Sequence, residues 1–291
     1  MTPSPAQRRT GRRGFTLVEL LLVIVIIGVL AGILVPSVMS ALKQAYLVQC
    51  KSNLKQIATA VINYSTDYNG FIPPTRVEPA GLYWCNILAQ RDLPAPNTSE
   101  ADDLTPSTKR TVMMCPACSN LKVTEDQTFE DPDDAIAQGW FRIGNDTRMT
   151  DCSYYWNGYV GTSDEMRERF LSLSVNTNQP KTQPGEFDCH NITEIPQRSN
   201  MAMVMDGIFW QNTSANVPQR IAARHPGTDG ERRATNVAFY DTHVEMMDRA
   251  PDDNDNWRQE TVIDPETEMI PILSRQEPFE GGPPYFLLPK R

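Results

Sequence analysis

The sequence predicts an α+β fold: a long N-terminal helix, apolar in its first half and amphipathic in its second, packs on an antiparallel β-sheet within a head of long loops. Three observations carry that expectation. Phe15 to Val35 is an apolar run broken only by Glu19, apolar residues recur at three- and four-residue spacing from Val38 to Tyr64, and two short alternating segments near the C-terminus flank Asp241-Thr242.

The apolar run covers 21 residues, and at about 1.5 Å rise per residue such a helix spans a hydrocarbon core of about 30 Å. Arg8, Arg9, Arg12 and Arg13 precede it with no acid among them, which holds the N-terminus in the cytoplasm and sends residues from Pro36 onward across the membrane. An ordinary secretory signal has a shorter run and a cleavage site after it. Here Val29-Leu30-Ala31-Gly32 lies inside the run, so the helix is expected to stay on the protein. The net charge is −9, and the chain after Gly14 is more negative still. Such a body disfavours nucleic acid and anionic lipid surfaces, which require a concentrated basic face.

The stretch Arg12-Arg13-Gly14-Phe15-Thr16-Leu17-Val18-Glu19-Leu20-Leu21 resembles the class III signal of type IV pilins and type II secretion pseudopilins. The resemblance implies that a prepilin peptidase/N-methyltransferase cuts between Gly14 and Phe15 and methylates the new amino terminus. It also implies other pilin or pseudopilin subunits as partners and the bacterial inner membrane as location. A carboxylate inside the bilayer costs roughly 2.5–3.5 kcal/mol on insertion scales, so Glu19 needs a partner. In a staggered helix pair it would meet the α-amino group of Phe15 on a neighbouring subunit and fix register during assembly. The competing expectation is that Glu19 snorkels to the interface. Pro36 also sits where this family usually carries a helix-kinking proline.

Beyond Pro36, Val38, Leu42, Ala45, Tyr46, Leu54, Ile57, Ala58, Val61 and Tyr64 form one helical stripe that should end near Tyr68, with Asn69-Gly70 as the cap and Pro73-Pro74 blocking continuation. Cys50-Lys51-Ser52-Asn53-Leu54-Lys55-Gln56-Ile57, with Tyr64 and Asn69 to Pro74, resembles a repeated signature of a large pseudopilin-like group. A helix face followed by a cap and turn explains each of these residues equally.

From Pro74 to Asn200 the pattern is irregular, with a helix expected over Gly81 to Gln90, a strand over Thr111 to Met114 and a helix over Ser163 to Ser172. Cys115-Pro116-Ala117-Cys118 has three readings. A redox pair needs a long helix opening at it, and Ser-Asn-Leu-Lys-Val-Thr is too polar. A zinc site needs further ligands, for which Cys152, Cys189 and His190 are available. Structural disulfides among Cys85, Cys115, Cys118, Cys152 and Cys189 are the plain alternative and the preferred one.

Met201 to Asp206 reads as a strand, and Asn236 to Tyr240 with His243 to Met247 reads as a hairpin near 235–247. Arg224-His225 with Asn236 to Val244 resembles a C-terminal signature of prepilin-processing-associated proteins: a histidine, nine residues, then Asp-Gly. Two departures stand out. His225 and Asp241 are sixteen positions apart instead of ten, implying an insertion near Thr228 to Arg233, and Thr242 replaces the glycine. Asp206, His225, Asp241 and His243 are the candidates for a metal corner; turn capping and backbone hydrogen bonds account for the same residues. No nucleophile elbow, phosphate loop, zincin helix or dinucleotide fingerprint is present.

The expected organisation is a leader at 1–14, a transmembrane helix at 15–36, its amphipathic continuation at 37–70 and an extracytoplasmic head at 71–291. The expected role is structural, without enzymatic activity, cofactor or metal. The competing role is a membrane-anchored binding module or metal-binding protein that uses a pilin-type leader for export.

Overall fold

The computed structural model describes residues 15–93, 111–119, 121–123, 139–145, 148–159, 171–176, 189–207, 222, 224–227, 233–248, 270–271 and 285–287. The chain divides into two compact units, Met1–Leu42 and Lys43–Arg291. In the first, helix α1 (Leu17–Asp67) begins, and Pro36 lies inside it. Val18, Leu20, Leu21, Leu22, Val23 and Ile26 are exposed, covering every face of the helix. A helix apolar all round is what lipid, not water, accommodates. Among the described residues it is the one helix long and apolar enough to cross a membrane.

In the second unit, Leu47, Cys50, Leu54, Ile57, Ala58, Val61 and Tyr64 of α1 are buried. The predicted stripe is corrected at its start: Val38, Leu42, Ala45 and Tyr46 are exposed. Periodicity records an apolar face without recording what covers it. The end falls where expected. Gly70 donates to the Ser65 carbonyl at 2.7 Å, with Asn69 at φ 54° and Gly70 at φ 90°, a left-handed exit that glycine makes at low cost. A Cβ on Gly70 would stand 2.4 Å from the Asn191 Nδ2, because Asn191 folds over the cap and donates to the Asn69 carbonyl at 2.9 Å.

The α1 face packs into one core with a five-stranded sheet. Its central strand is β8 (Ala202–Asp206), buried at all five positions and flanked by β5 (Tyr154–Trp156) and β10 (Arg233–Phe239); β11 (Val244–Asp248) and the short β9 (His225–Pro226) pair with β10. Every pairing is antiparallel. The expected α+β arrangement of a long helix on antiparallel strands is present. A second, four-stranded sheet is mixed: β1 (Arg76–Glu78) pairs antiparallel with β2 (Leu82–Tyr83) and parallel with β7 (Ser172–Asn176), which is parallel to β6 (Gly158–Tyr159). Among the described residues two further antiparallel pairs are present, β3 (Phe141–Asn145) with β4 (Arg148–Cys152), and β12 (Ile270–Pro271) with β13 (Tyr285–Leu287).

Three local expectations change. Thr111 to Met114 is turn, not strand: Met114 donates to the Thr111 carbonyl at 3.1 Å, and Ser153 answers the Met113 carbonyl, so the segment needs no ladder. The helix expected from Gly81 is α2 (Trp84–Arg91), because Leu82 and Tyr83 pair with β1 and the Asn86 side chain caps the Tyr83 N–H at 2.9 Å. Ser172 opens β7, and residues 163–170 of that expected helix lie outside the described residues, as do residues 228–232 of the proposed insertion.

The β10–β11 turn is longer than the two-residue connection the pattern suggests. Strands end at Phe239 and resume at Val244, so four residues intervene instead of two. Thr242 sits at φ 74°, and Lys55 of α1 donates to its carbonyl at 2.7 Å and its hydroxyl at 2.8 Å. A left-handed L-residue costs about 1–2 kcal/mol. Thr242→Gly is therefore expected to raise stability by up to about 1 kcal/mol in urea unfolding, the relief being partly offset by the lost hydroxyl contact and added chain entropy. A loss above that size would mean that the Lys55 contact outweighs the strain.

Candidate functional site

Two places carry chemistry. At the N-terminus, Thr16 stands just before α1 and Glu19 in its first turn. The Glu19 Oε2 accepts from the Thr16 N–H at 2.9 Å and from the Thr16 hydroxyl at 2.7 Å, and the Thr16 Oγ1 accepts from the Glu19 N–H at 3.3 Å. This is a capping box, in which two orphan amides of a helix start are satisfied reciprocally. Thr-x-x-Glu was legible as such in the sequence and supplies a same-chain partner for the acid. The Oε1 takes no hydrogen bond from described residues and stays available. Phe15 is exposed, and Gly14 lies outside the described residues.

The second place is inside the head. Cys50 projects from α1, Cys115 from the turn after Met114, Asp206 from the end of β8 and His225 from β9; their ligand-type atoms all lie within 4.8 Å of one another and all four residues are buried. His225 Nε2 is 3.2 Å from the Asp206 Oδ2 and 3.5 Å from the Cys115 Sγ. The Cys50 thiol donates to the Asp206 Oδ1 at 3.0 Å and lies 3.3 Å from the Tyr154 hydroxyl. Each group is held from behind. Asn236 donates to the Asp206 Oδ2 from its backbone at 2.9 Å and its side chain at 3.1 Å. The Cys115 N–H donates to the Ser153 Oγ at 2.6 Å. Asn53 spans the Met114 carbonyl at 3.0 Å and the Tyr154 hydroxyl at 3.4 Å. Buried Arg224 donates to the Ser153 and Gly139 carbonyls, placing a fixed positive charge near the cluster.

The electrostatics follow from that crowding. Burial alone would raise the Asp206 carboxyl, but the charges of His225 and Arg224 and the Cys50 hydrogen bond hold it below the ordinary carboxylate value. Burial would lower the His225 imidazole, yet Asp206 and then Cys115 bring it up to about 10. Cys50 is pushed well above the usual thiol range by burial and by Cys115. Cys115, which burial would also raise, is brought down to about 7 by the Cys50 hydrogen bond and His225.

The candidate metal corner is regrouped. Asp206 and His225 do meet, but Asp241 and His243 pair with each other in the exposed turn at 2.6 Å. Two residues two positions apart in one turn reach each other before they reach β8. The cysteines sort by neighbourhood: Cys85 lies against Cys152, Cys118 packs with Met114 and Trp140 in a separate small cluster, and all six are buried. Cys115 and Cys118, close in sequence, face different groups.

Residues 9–35 match the family described as Prokaryotic N-terminal methylation motif. The chain carries that motif. Over 60 residues it is 43% identical to the type II secretion system core protein G of Pseudomonas aeruginosa, a stretch that is 21% of this chain and 42% of that protein. The chain therefore spans less than half the length of this curated relative. No solved structure matches it. The motif and the similarity support a likeness to pilins and pseudopilins over the N-terminal stretch that holds the apolar helix.

Sequence reasoning left out Cys50, Asn53, Asn236 and Arg224 as site residues. The signal for Cys50 and Asn53 was present in the Cys-x-x-Asn-Leu-Lys-Gln-Ile stretch, where the fold gives Cys50, Asn53 and Lys55 tertiary partners.

Proposed function

We propose that the chain is a pseudopilin or minor-pilin-like subunit, processed by prepilin peptidase and assembled through its N-terminal helix into a filament of the type II secretion or type IV pilus kind. The observation that carries this is the methylation motif over residues 9–35, with Gly14-Phe15 at its scissile position. Cleavage there removes residues 1–14 from the front of the apolar run, so residues 15–36 remain as anchor and assembly surface, with the N-terminus cytoplasmic and the chain from about residue 37 outside the inner membrane. In the filament, the capping box occupies one oxygen of Glu19 and the other accepts the methylated amino group of Phe15 from the neighbouring subunit. That contact sets axial register.

The test is mass spectrometry of the full-length protein extracted from membranes of a cell with active prepilin peptidase, alongside Glu19→Leu. An N-methylated Phe15 terminus and subunit-to-subunit crosslinks at least tenfold weaker in Glu19→Leu are expected. An intact Met1 terminus would sink processing, and undiminished crosslinks would sink the register role.

A further inference from the structure

We propose that Cys50, Cys115, Asp206 and His225 hold one zinc ion in a closed, structural four-ligand site that ties α1 to β8 and β9. The inference goes beyond the filament role and does not depend on it. Two thiols, an imidazole and a carboxylate are ligand types that zinc takes in tetrahedral sites. Their convergence from four distant parts of the chain, with ligand atoms within 4.8 Å of one another, is a cage and not a surface acidic patch.

Three features favour a metal over a plain hydrogen-bonded cluster. The first is orientation: Asn236 fixes Asp206 with two donors, and Ser153 fixes the Cys115 backbone. Such outer-shell contacts characterise metal ligands. The second is the ring of His225, which turns its Nε2 toward Asp206 at 3.2 Å and Cys115 at 3.5 Å. A neutral ring coordinating through that atom keeps the positive charge on the ion. The third is charge balance. Two thiolates and a carboxylate bring three negative charges, and a divalent ion with buried Arg224 offsets them. Zinc entry displaces the thiol protons to solvent and changes no oxidation state. Complete burial leaves no open coordination position for substrate, so the role is structural rather than catalytic.

The proposal is tested on full-length, detergent-solubilised protein purified under reducing conditions from zinc-supplemented cells. Elemental analysis is expected to find one zinc per chain, with a chelator removing it and lowering the thermal midpoint. Cobalt(II) in its place should give sulfur-to-metal charge-transfer bands of a tetrahedral site. Asn236→Ala, which keeps all four ligands, should weaken metal affinity by about 10–100-fold, while Cys189→Ser leaves zinc content unchanged. Should Cys50→Ser fail to accumulate, the wild-type chelation and cobalt spectra decide. Protein that takes up neither zinc nor cobalt when reduced, or peptide mapping that finds a Cys50–Cys115 disulfide in exported protein, overturns it.

Discussion

Trp156→Ala is expected to lower the stability of the head by about 3–5 kcal/mol, the cost of deleting a large buried aromatic side chain. Trp156 ends β5, is fully buried, and stacks on Trp84 of α2 with ring centroids 5.1 Å apart and planes 17° from parallel. The ring thus joins the central sheet to α2. Its removal leaves a cavity between elements that cannot slide together, because β5 is fixed to β8 by its ladder. The stack itself adds about 0.5–1.5 kcal/mol beyond area burial. Trp156→Phe separates the contributions. The indole N–H has no hydrogen-bond partner among the described residues, so phenylalanine removes an unsatisfied donor and should cost well under half as much. Urea unfolding of the full chain in detergent, followed by far-ultraviolet circular dichroism, reads both. Equal losses for the two variants would mean that volume is not the controlling quantity.

Asp151→Ala is expected to cost about 3–5 kcal/mol, for a different reason. Arg142 on β3 and Asp151 on β4 are directly opposite in register. The guanidinium donates from Nε at 2.7 Å and from its terminal nitrogen at 3.1 Å to the two carboxylate oxygens. Both side chains are nearly excluded from solvent, at 3% and 5% exposure. Arg142 also lies over the Trp140 ring at 5.6 Å. Deleting the acid strands a buried cation, and that desolvation, not the lost attraction, dominates the loss. The double variant Arg142→Met, Asp151→Leu should therefore recover most of the stability that Asp151→Ala alone loses. A double variant no more stable than the single would show that the pair contributes net attraction beyond what apolar packing replaces.

Legibility differed by element, and the physical basis of the signal decides why. The membrane half of α1 was readable because apolar length is a property of consecutive residues, and its end was readable because Asn69-Gly70 is local backbone chemistry. Strands β8, β10 and β11 were readable from alternation and apolar runs. The four-stranded sheet was not: β1, β2 and β6 are three residues long or shorter, and parallel pairing of β7 with β1 and β6 joins segments with no local turn to announce it. Glu19 was noticed as the acid in the run, whereas its pairing with Thr16 was a local capping signal left unread.

The buried cluster divides the same way. His225 and Asp206 stood out as rare polar residues near strand patterns, but which cysteines would join them depended on the packing of α1 against β8 and on the turn that carries Cys115. By itself the sequence determined a leader motif, an apolar helix of bilayer length and an α+β head, since each follows from composition and spacing along the chain. Only the tertiary structure decided that Cys50 and Cys115 face Asp206 and His225 while Asp241 and His243 face each other. Side chains far apart in sequence meet only after the core has fixed where their backbones lie, and no spacing rule along the chain encodes that distance.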